Sequence, residues 1–260
     1  MRNDMKTLDY DQLRIIVPAA FAAHEAEHLS DRYTFINSFN IIQEFEKQGY
    51  FPVSATQSFN TIDADVGKHM VRFRHSEQLD SKNKNGISEL VMTNSHNGKS
   101  RLSLYSGIFR LVCSNGLIAF VDNGGYSEKH DSLTLDSVNK GLENTITLSL
   151  ETVKRSEAMQ AVQLTHDSAL YVAELMKLTV YNDRNIDSSL LLEPRRSYDT
   201  ARDLWTVFNV IQENILKGGI GCESESGLKG KTRPITQIDR NIEINQKLWE
   251  IADEMLEEFA

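Results

Sequence analysis

Two hydrophobic periods divide this chain. Between residues 67 and 121 the period is two. In GKHMVRFRH (67–75) the even positions are Lys68, Met70, Arg72 and Arg74, and the odd positions are His69, Val71, Phe73 and His75. Alternation of this kind is the signature of a strand with one face in a core. SELVMTNS (88–95) is apolar and β-rich, and it ends at HNGK (96–99), whose Asn97-Gly98 predicts a hairpin turn. RLSLYSGIFRLVCS (101–114) reads as a long strand with room for a bulge at Gly107, and SNG (114–116) turns into LIAFV (117–121). The segment therefore predicts an antiparallel meander of three or four strands.

Helical spacing frames this meander. Val17-Pro18 followed by AAFAAHEAEHL predicts a short helix with Pro18 at its first position, broken at Ser30-Asp31. RYTFI (32–36) is strand-like. Ser38 can cap a helix carrying Phe39, Ile42 and Phe45, closed by Gly49. YFPVSATQSF (50–59) is extended, and Pro52 favours a sheet edge. After about residue 133 the pattern is helical throughout. Long helices are expected over LDSVNKGLENTITLSLETVKRSEAMQ, over 165–181, over 197–217 and from Asp239 to the end. Strands followed by helices predict an α+β fold, an antiparallel meander with short helices before it and long helices after it. The expected division is residues 1–132, N-terminal helices plus sheet, and 133–260, a helical region packing on that sheet, unless all forms one domain. GGIGCESESGLKGKTRPITQ (218–237) reads as a mobile loop.

Composition narrows the function classes. The 260 residues include 40% hydrophobic side chains, enough for a sizeable core, and carry a net charge of −9, so the whole surface is not a polyanion trap. Two cysteines, Cys113 and Cys222, form neither a C-x-x-C pair nor a disulfide framework. The opening MRNDMKTLDY lacks an apolar targeting segment and no run reaches membrane-spanning length, so a cytoplasmic protein with no membrane partner is expected.

Several motifs invite an enzymatic reading. His24-Glu25-Ala26-Glu27-His28 is a literal H-E-x-x-H, which on a helix sets two imidazoles on one face for zinc. Here a charged Glu27 occupies the slot between the ligands, Ser30 stands where an apolar residue is wanted, and no third ligand is marked. A metallopeptidase is the remote reading for His24 and His28, and no metal or other cofactor is expected. Gly230-Lys231-Thr232 looks like half of a phosphate loop, but Glu225 stands where its first glycine belongs. Cys113 has no histidine near it in sequence, and packing explains it better than nucleophilic chemistry. No catalytic residue is assigned, and a non-enzymatic protein is expected.

Charge distribution says more. Residues 66–116 hold eight lysines and arginines against three acidic residues, which leaves the remainder of the −9 chain strongly acidic. Lys68, Arg72 and Arg74 share one strand face by period two, and Lys99, Arg101 and Arg110 lie on the next hairpin. Lys229, Lys231 and Arg233 add a basic run in the glycine-rich loop. Segregation of this kind is the electrostatic footprint of a phosphate-binding surface.

Longer stretches carry a resemblance. SDRYTFINSFNIIQEFEKQGYFPVSATQS, GKHMVRFRH, LVMTNSHNGKSRLSLYSGIFRLVCSNGLI, LWTVFNVIQENILKGG and TRPITQIDRNIEINQKLWEIADE resemble the phage/plasmid-like protein family, domain-of-unknown-function family 932. The likeness runs from about residue 28 to the end, and GIFRLVCSNG (107–116) is its most specific element. It implies residence on mobile genetic elements, among genes for DNA handling or defence evasion, and supplies no catalytic residues. Two function classes follow. In the first, the protein binds nucleic acid, single-stranded DNA above all, in the manner of single-strand annealing proteins that assemble as homo-oligomers. Phosphates would meet Lys68, Arg72, Arg74, Lys99, Arg101, Arg110, Lys229, Lys231 and Arg233, and Phe73, Tyr105 or Phe109 could stack bases. In the second, the acidic helices form an interaction module for a host protein in defence or replication.

Overall fold

The computed structural model describes residues 7–58, 64–81, 83, 86–109, 116–118, 125–181, 184–224 and 226–260. The chain forms two compact units, Met1–Thr152 and Val153–Ala260. The division falls inside a long helix rather than ahead of it.

The first unit opens with helix α1 (Tyr10–Ile16), which the hydrophobic pattern did not reveal. A capping box starts it: the Asp9 carboxylate accepts from the Gln12 amide at 2.8 Å, and the Gln12 side chain accepts from the Asp9 amide at 3.0 Å. The helix expected from Pro18 is only a 3₁₀ turn, Pro18–Phe21. Beyond it the backbone bonds to distant partners instead of its own next turn. Asn37 donates to the Ala22 carbonyl at 2.7 Å, and the Ala26 amide donates to the His96 carbonyl at 2.9 Å. The strand expected over 32–36 is likewise irregular chain, tied by the Thr34 amide to the His130 carbonyl. Helix α2 (Ser38–Lys47) follows, capped by Asn37 rather than Ser38 and closed by Gly49 at φ +80°.

Among the described residues six strands form the main sheet: β1 (Tyr50–Gln57), β2 (His69–His75), β3 (Ile87–Asn94), β4 (Leu102–Phe109), β5 (Gly116–Ile118) and β6 (Gly125–Glu128). The first five are neighbours in sequence order and all pairs are antiparallel, as a meander requires. The outer side of β4 is shared, β5 pairing with Gly107–Phe109 and β6 with Leu102–Tyr105. Pro52 lies on the edge strand β1, where its missing N–H costs no ladder bond, and the register shifts beside it. No bulge forms at Gly107, since β3 and β4 pair without interruption from Ile87↔Phe109 to Thr93↔Ser103.

One face of the sheet is covered by α1, α2 and the first part of α3 (Leu135–Ala161). Leu13, Ile41, Phe45, Val71, Phe73, Leu90, Val138 and Leu142 close into one buried cluster. Phe45 stacks on Phe73 with ring centroids 4.0 Å apart. The threonines of α3 are absorbed by turning their hydroxyls onto the helix's own carbonyls, Thr145 to Gly141 and Thr152 to Leu148. Gly141 lets α3 approach β6 closely, because a Cβ there would stand 2.3 Å from the Tyr126 ring.

In the second unit, α4 (His166–Val180), α5 (Leu204–Lys217) and α6 (Ile238–Phe259) surround Trp205, Phe208 and Trp249, whose rings meet edge-on or tilted. A small sheet of β7 (Arg184–Asn185), β8 (Gly221–Ser224) and β9 (Lys229–Lys231) occupies part of the segment read as a loop. Together these elements make an α+β protein, with short helices before an antiparallel sheet and long helices after it.

Candidate functional site

The cations of β2 do not form an open basic face. Arg72 and Arg74 converge on Glu89, which is wholly buried, through an Arg72 Nε contact of 2.8 Å and Arg74 contacts of 3.0 and 2.5 Å. Period two placed both arginines on one face correctly, but Glu89, the cross-strand partner of Arg74, pairs with both of them there, and Arg74 and Glu89 are buried. Arg72 also lies over the Phe109 ring at 3.5 Å. These two residues are therefore structural, and so are Phe73 and Phe109, both buried. Lys68 is half-buried and engaged; Arg110 and Cys113 lie outside the described residues. In the second unit Lys229, Lys231 and Arg233 are exposed on or just after β9. The acidic helix α6 is partly neutralised within that unit, since Arg155 pairs with Asp253 and Glu257 at 2.5 and 2.7 Å.

His24 and His28 are exposed on irregular chain, so H-E-x-x-H spacing gives them no common helical face. Among the described residues no group of three or more histidine, cysteine or acidic side chains is arranged to hold a metal.

Lys99 and Arg101, by contrast, reach a defined place. They line a cavity of about 420 Å³ in the first unit, with Arg32 from the irregular chain before α2 and Lys129 from the turn after β6. All four are exposed, and none forms an ion pair among the described residues. Asp131 brings one carboxylate to the same lining. The geometry depends on the β3–β4 turn. Gly98 adopts φ +73°, and a Cβ there would stand 2.6 Å from Leu29, so the turn closes directly onto the 29–33 segment. Asn97 Oδ1 accepts from the Lys99 amide at 3.1 Å and fixes the way the lysine leaves the turn.

Behind this cavity lies a buried polar cluster. His130 lines the cavity and is covered by Tyr33, whose ring stacks on it at 4.5 Å. Its Nδ1 faces the Thr34 carbonyl at 3.2 Å and its Nε2 faces Asn94 Oδ1 at 2.9 Å. Asn94 Nδ2 donates to Ser38 Oγ at 2.9 Å, and Ser38 Oγ also meets His69 Nε2 at 2.9 Å and His96 Nε2 at 3.1 Å. His69 Nδ1 faces the Gly67 carbonyl at 3.0 Å, while His96 Nδ1 is buried with no partner. Burial pulls His69 down to about 4 and His96 to about 3, and it lowers His130 as well, so all three rings are neutral near pH 7. Five polar side chains placed together in an apolar interior cost free energy, and groups of this kind concentrate at functional sites.

The family model described as "Domain of unknown function (DUF932)" matches residues 25–249. This chain belongs to that family. Every wall of the cavity and all five residues of the DUF932 chain's polar cluster fall inside the match, whereas His24 falls outside it. Two curated relatives come from Escherichia coli (strain K12). The UPF0380 protein YafZ is 30% identical over 258 residues, covering 96% of this chain and 92% of its own. The UPF0380 protein YfjQ is 29% identical over 255 residues with the same coverage. No solved structure gives a significant match.

Arg32, Lys129, Ser38, Asn94 and the three histidines escaped the sequence reading. They lie on segments far apart in the chain, and no local spacing marks them. The one available signal was the polar run Thr93-Asn94-Ser95-His96-Asn97 that follows the apolar part of β3, and the structure buries all five.

Proposed function

We propose that this protein binds nucleic acid by its phosphates, single-stranded DNA foremost, at the cationic cavity of the first unit. One observation carries the reading: Arg32, Lys99, Arg101 and Lys129 come from three separate segments and meet, exposed, on one concave site. Cations left without protein partners around a cavity attract a polyanion and release its counterions. A concave site built on loops admits the backbone of an unpaired strand, which can bend into it, more readily than that of a stiff duplex. The resemblance to proteins of mobile elements agrees with a role in DNA metabolism. Of the nine cations expected from the sequence, the contact set keeps Lys99 and Arg101, and it gains Arg32 and Lys129. Lys68, Arg72 and Arg74 are engaged elsewhere, Arg110 lies outside the described residues, and Lys229, Lys231 and Arg233 belong to the second unit.

The test is a titration of fluorescent oligothymidylate at increasing salt. Four phosphate contacts predict a slope of log affinity on log salt of roughly −3. Replacing Arg32, Lys99, Arg101 or Lys129 singly by Gln lowers the magnitude of that slope by about 0.7 without regard to base sequence. A triple Gln variant at Lys229, Lys231 and Arg233 reports any share of the second unit. No binding at low salt, or a slope untouched by all four cavity substitutions together, refutes the reading.

A further inference from the structure

The polar cluster contains a row of contacts with a carbonyl at each end: Gly67 O, His69, Ser38, Asn94, His130, Thr34 O. Each of its five contacts needs one hydrogen atom. A neutral His69 supplies one, the Ser38 hydroxyl one, the Asn94 amide one along the row, and a neutral His130 one. Four hydrogens serve five contacts. With Asn94 Nδ2 on Ser38 and the His130 proton on Nδ1, the gap falls between Asn94 Oδ1 and His130 Nε2, which are 2.9 Å apart. Turning the amide over moves the gap to Ser38, and changing a tautomer moves it to a terminal carbonyl. His96 does not close it, because its Nε2 makes a further contact to Ser38 and its Nδ1 faces nothing. Only a second proton on one imidazole completes the row.

Resting on the reading above, we infer that filling the cationic cavity with an anion is coupled to the uptake of one proton by the row His130–Asn94–Ser38–His69. Two forces oppose that proton in the empty site. Burial penalises an imidazolium, and the surrounding charge is mainly positive. Arg32, Lys99, Arg101 and Lys129 line the same cavity as His130, and Lys68 acts on His69. Asp131 in the cavity wall and Glu25, which acts on Tyr33 above the His130 ring, provide the nearby negative charge. A phosphate in the cavity neutralises the cations and sets an anion beside His130, so the hydrogen deficit then decides. By reciprocity, acidification tightens the anion.

Oligothymidylate is a suitable probe, because none of its groups titrates between about pH 5 and 8. Calorimetric titration of the full chain near pH 6, in two buffers with different ionisation heats, counts the protons taken up on binding. We expect close to one, with an affinity roughly tenfold higher at about pH 5.5 than at about pH 7.5. Asn94→Asp places a carboxylate that accepts from both Ser38 and His130, so His130 already holds its second proton and the pH dependence flattens. Circular dichroism establishes that this variant folds, and the proton count on the unaltered protein requires no variant. Binding with a heat independent of buffer and an affinity independent of pH overturns the coupling and leaves the nucleic-acid reading standing. Proton uptake that persists in folded Asn94→Asp overturns the row as its seat. Absence of binding at every pH overturns both.

Discussion

Removing the charge of Glu89 isolates the part of this structure that departs most from its sequence pattern. Glu89→Gln keeps the shape of the side chain but leaves the guanidinium of Arg74, 1% exposed, and that of Arg72 without a counter-charge. Three charge-assisted contacts, at 2.8, 3.0 and 2.5 Å, become contacts to a neutral amide. Breaking a buried pair from one side costs about 3–5 kcal/mol, since the remaining charge stays desolvated. At the lower figure, amide exchange in the β2 and β3 strands accelerates by roughly two powers of ten where local opening limits it. Hydrogen-exchange mass spectrometry reads those strands directly. Both tryptophans, Trp205 and Trp249, lie in the second unit, so their fluorescence is an internal control that should not change. Replacing all three residues by apolar side chains of similar volume should restore much of the loss, because the desolvated charges leave together. A loss below about 1 kcal/mol for Glu89→Gln would refute the buried triad, since that is the size of a solvent-exposed pair. So would a lower salt slope for DNA binding in folded Arg72→Gln, because these arginines would then be phosphate ligands after all.

Two further outcomes follow from the same packing. Gly141→Ala puts a methyl group 2.3 Å from the Tyr126 ring, and overpacking of this kind should destabilise the first unit by about 1–3 kcal/mol in urea unfolding; an unchanged midpoint would show that α3 and β6 are further apart. His69 and His96 have folded values near 4 and 3, below the ordinary histidine value near 6.5, so the unfolded chain binds more protons in between. Their stabilising contribution is complete above about pH 6.5 and is lost as pH falls from there towards 4 for His69 and towards 3 for His96, at up to about 1.4 kcal/mol per residue per pH unit. Exchange protection in β2 and β3 that is equal at pH 7 and pH 5 would contradict the burial of these rings.

Elements whose residues satisfy one another locally were legible in advance. The alternation of β2 and the Asn97-Gly98 turn locate two strands, the period of α3 to α6 locates four helices, and Pro52 fixes an edge. HEAEH was less informative than its letters suggest. A helix bonds each carbonyl to the amide four residues on, whereas here the Ala22 carbonyl accepts from Asn37 and the Ala26 amide donates to the His96 carbonyl. The same competition took 32–36 out of a strand. On β2, period two set Arg72 and Arg74 on one face, but periodicity is blind to what pairs with them there. Glu89 arrives from another strand and decides it.

The sequence by itself determined the α+β order, the meander, the long helices and membership of the DUF932 family, because propensity, turn chemistry and period act over a few neighbouring residues. Tertiary structure alone decided which cations are free and which are buried, and it alone brought Arg32 to Lys99, and Ser38 to His69 and His130. Those pairings join residues separated by up to about a hundred positions through the packing of loops. Charge and hydrogen bonding act through space, and a one-dimensional pattern does not record which distant partner completes a polar group.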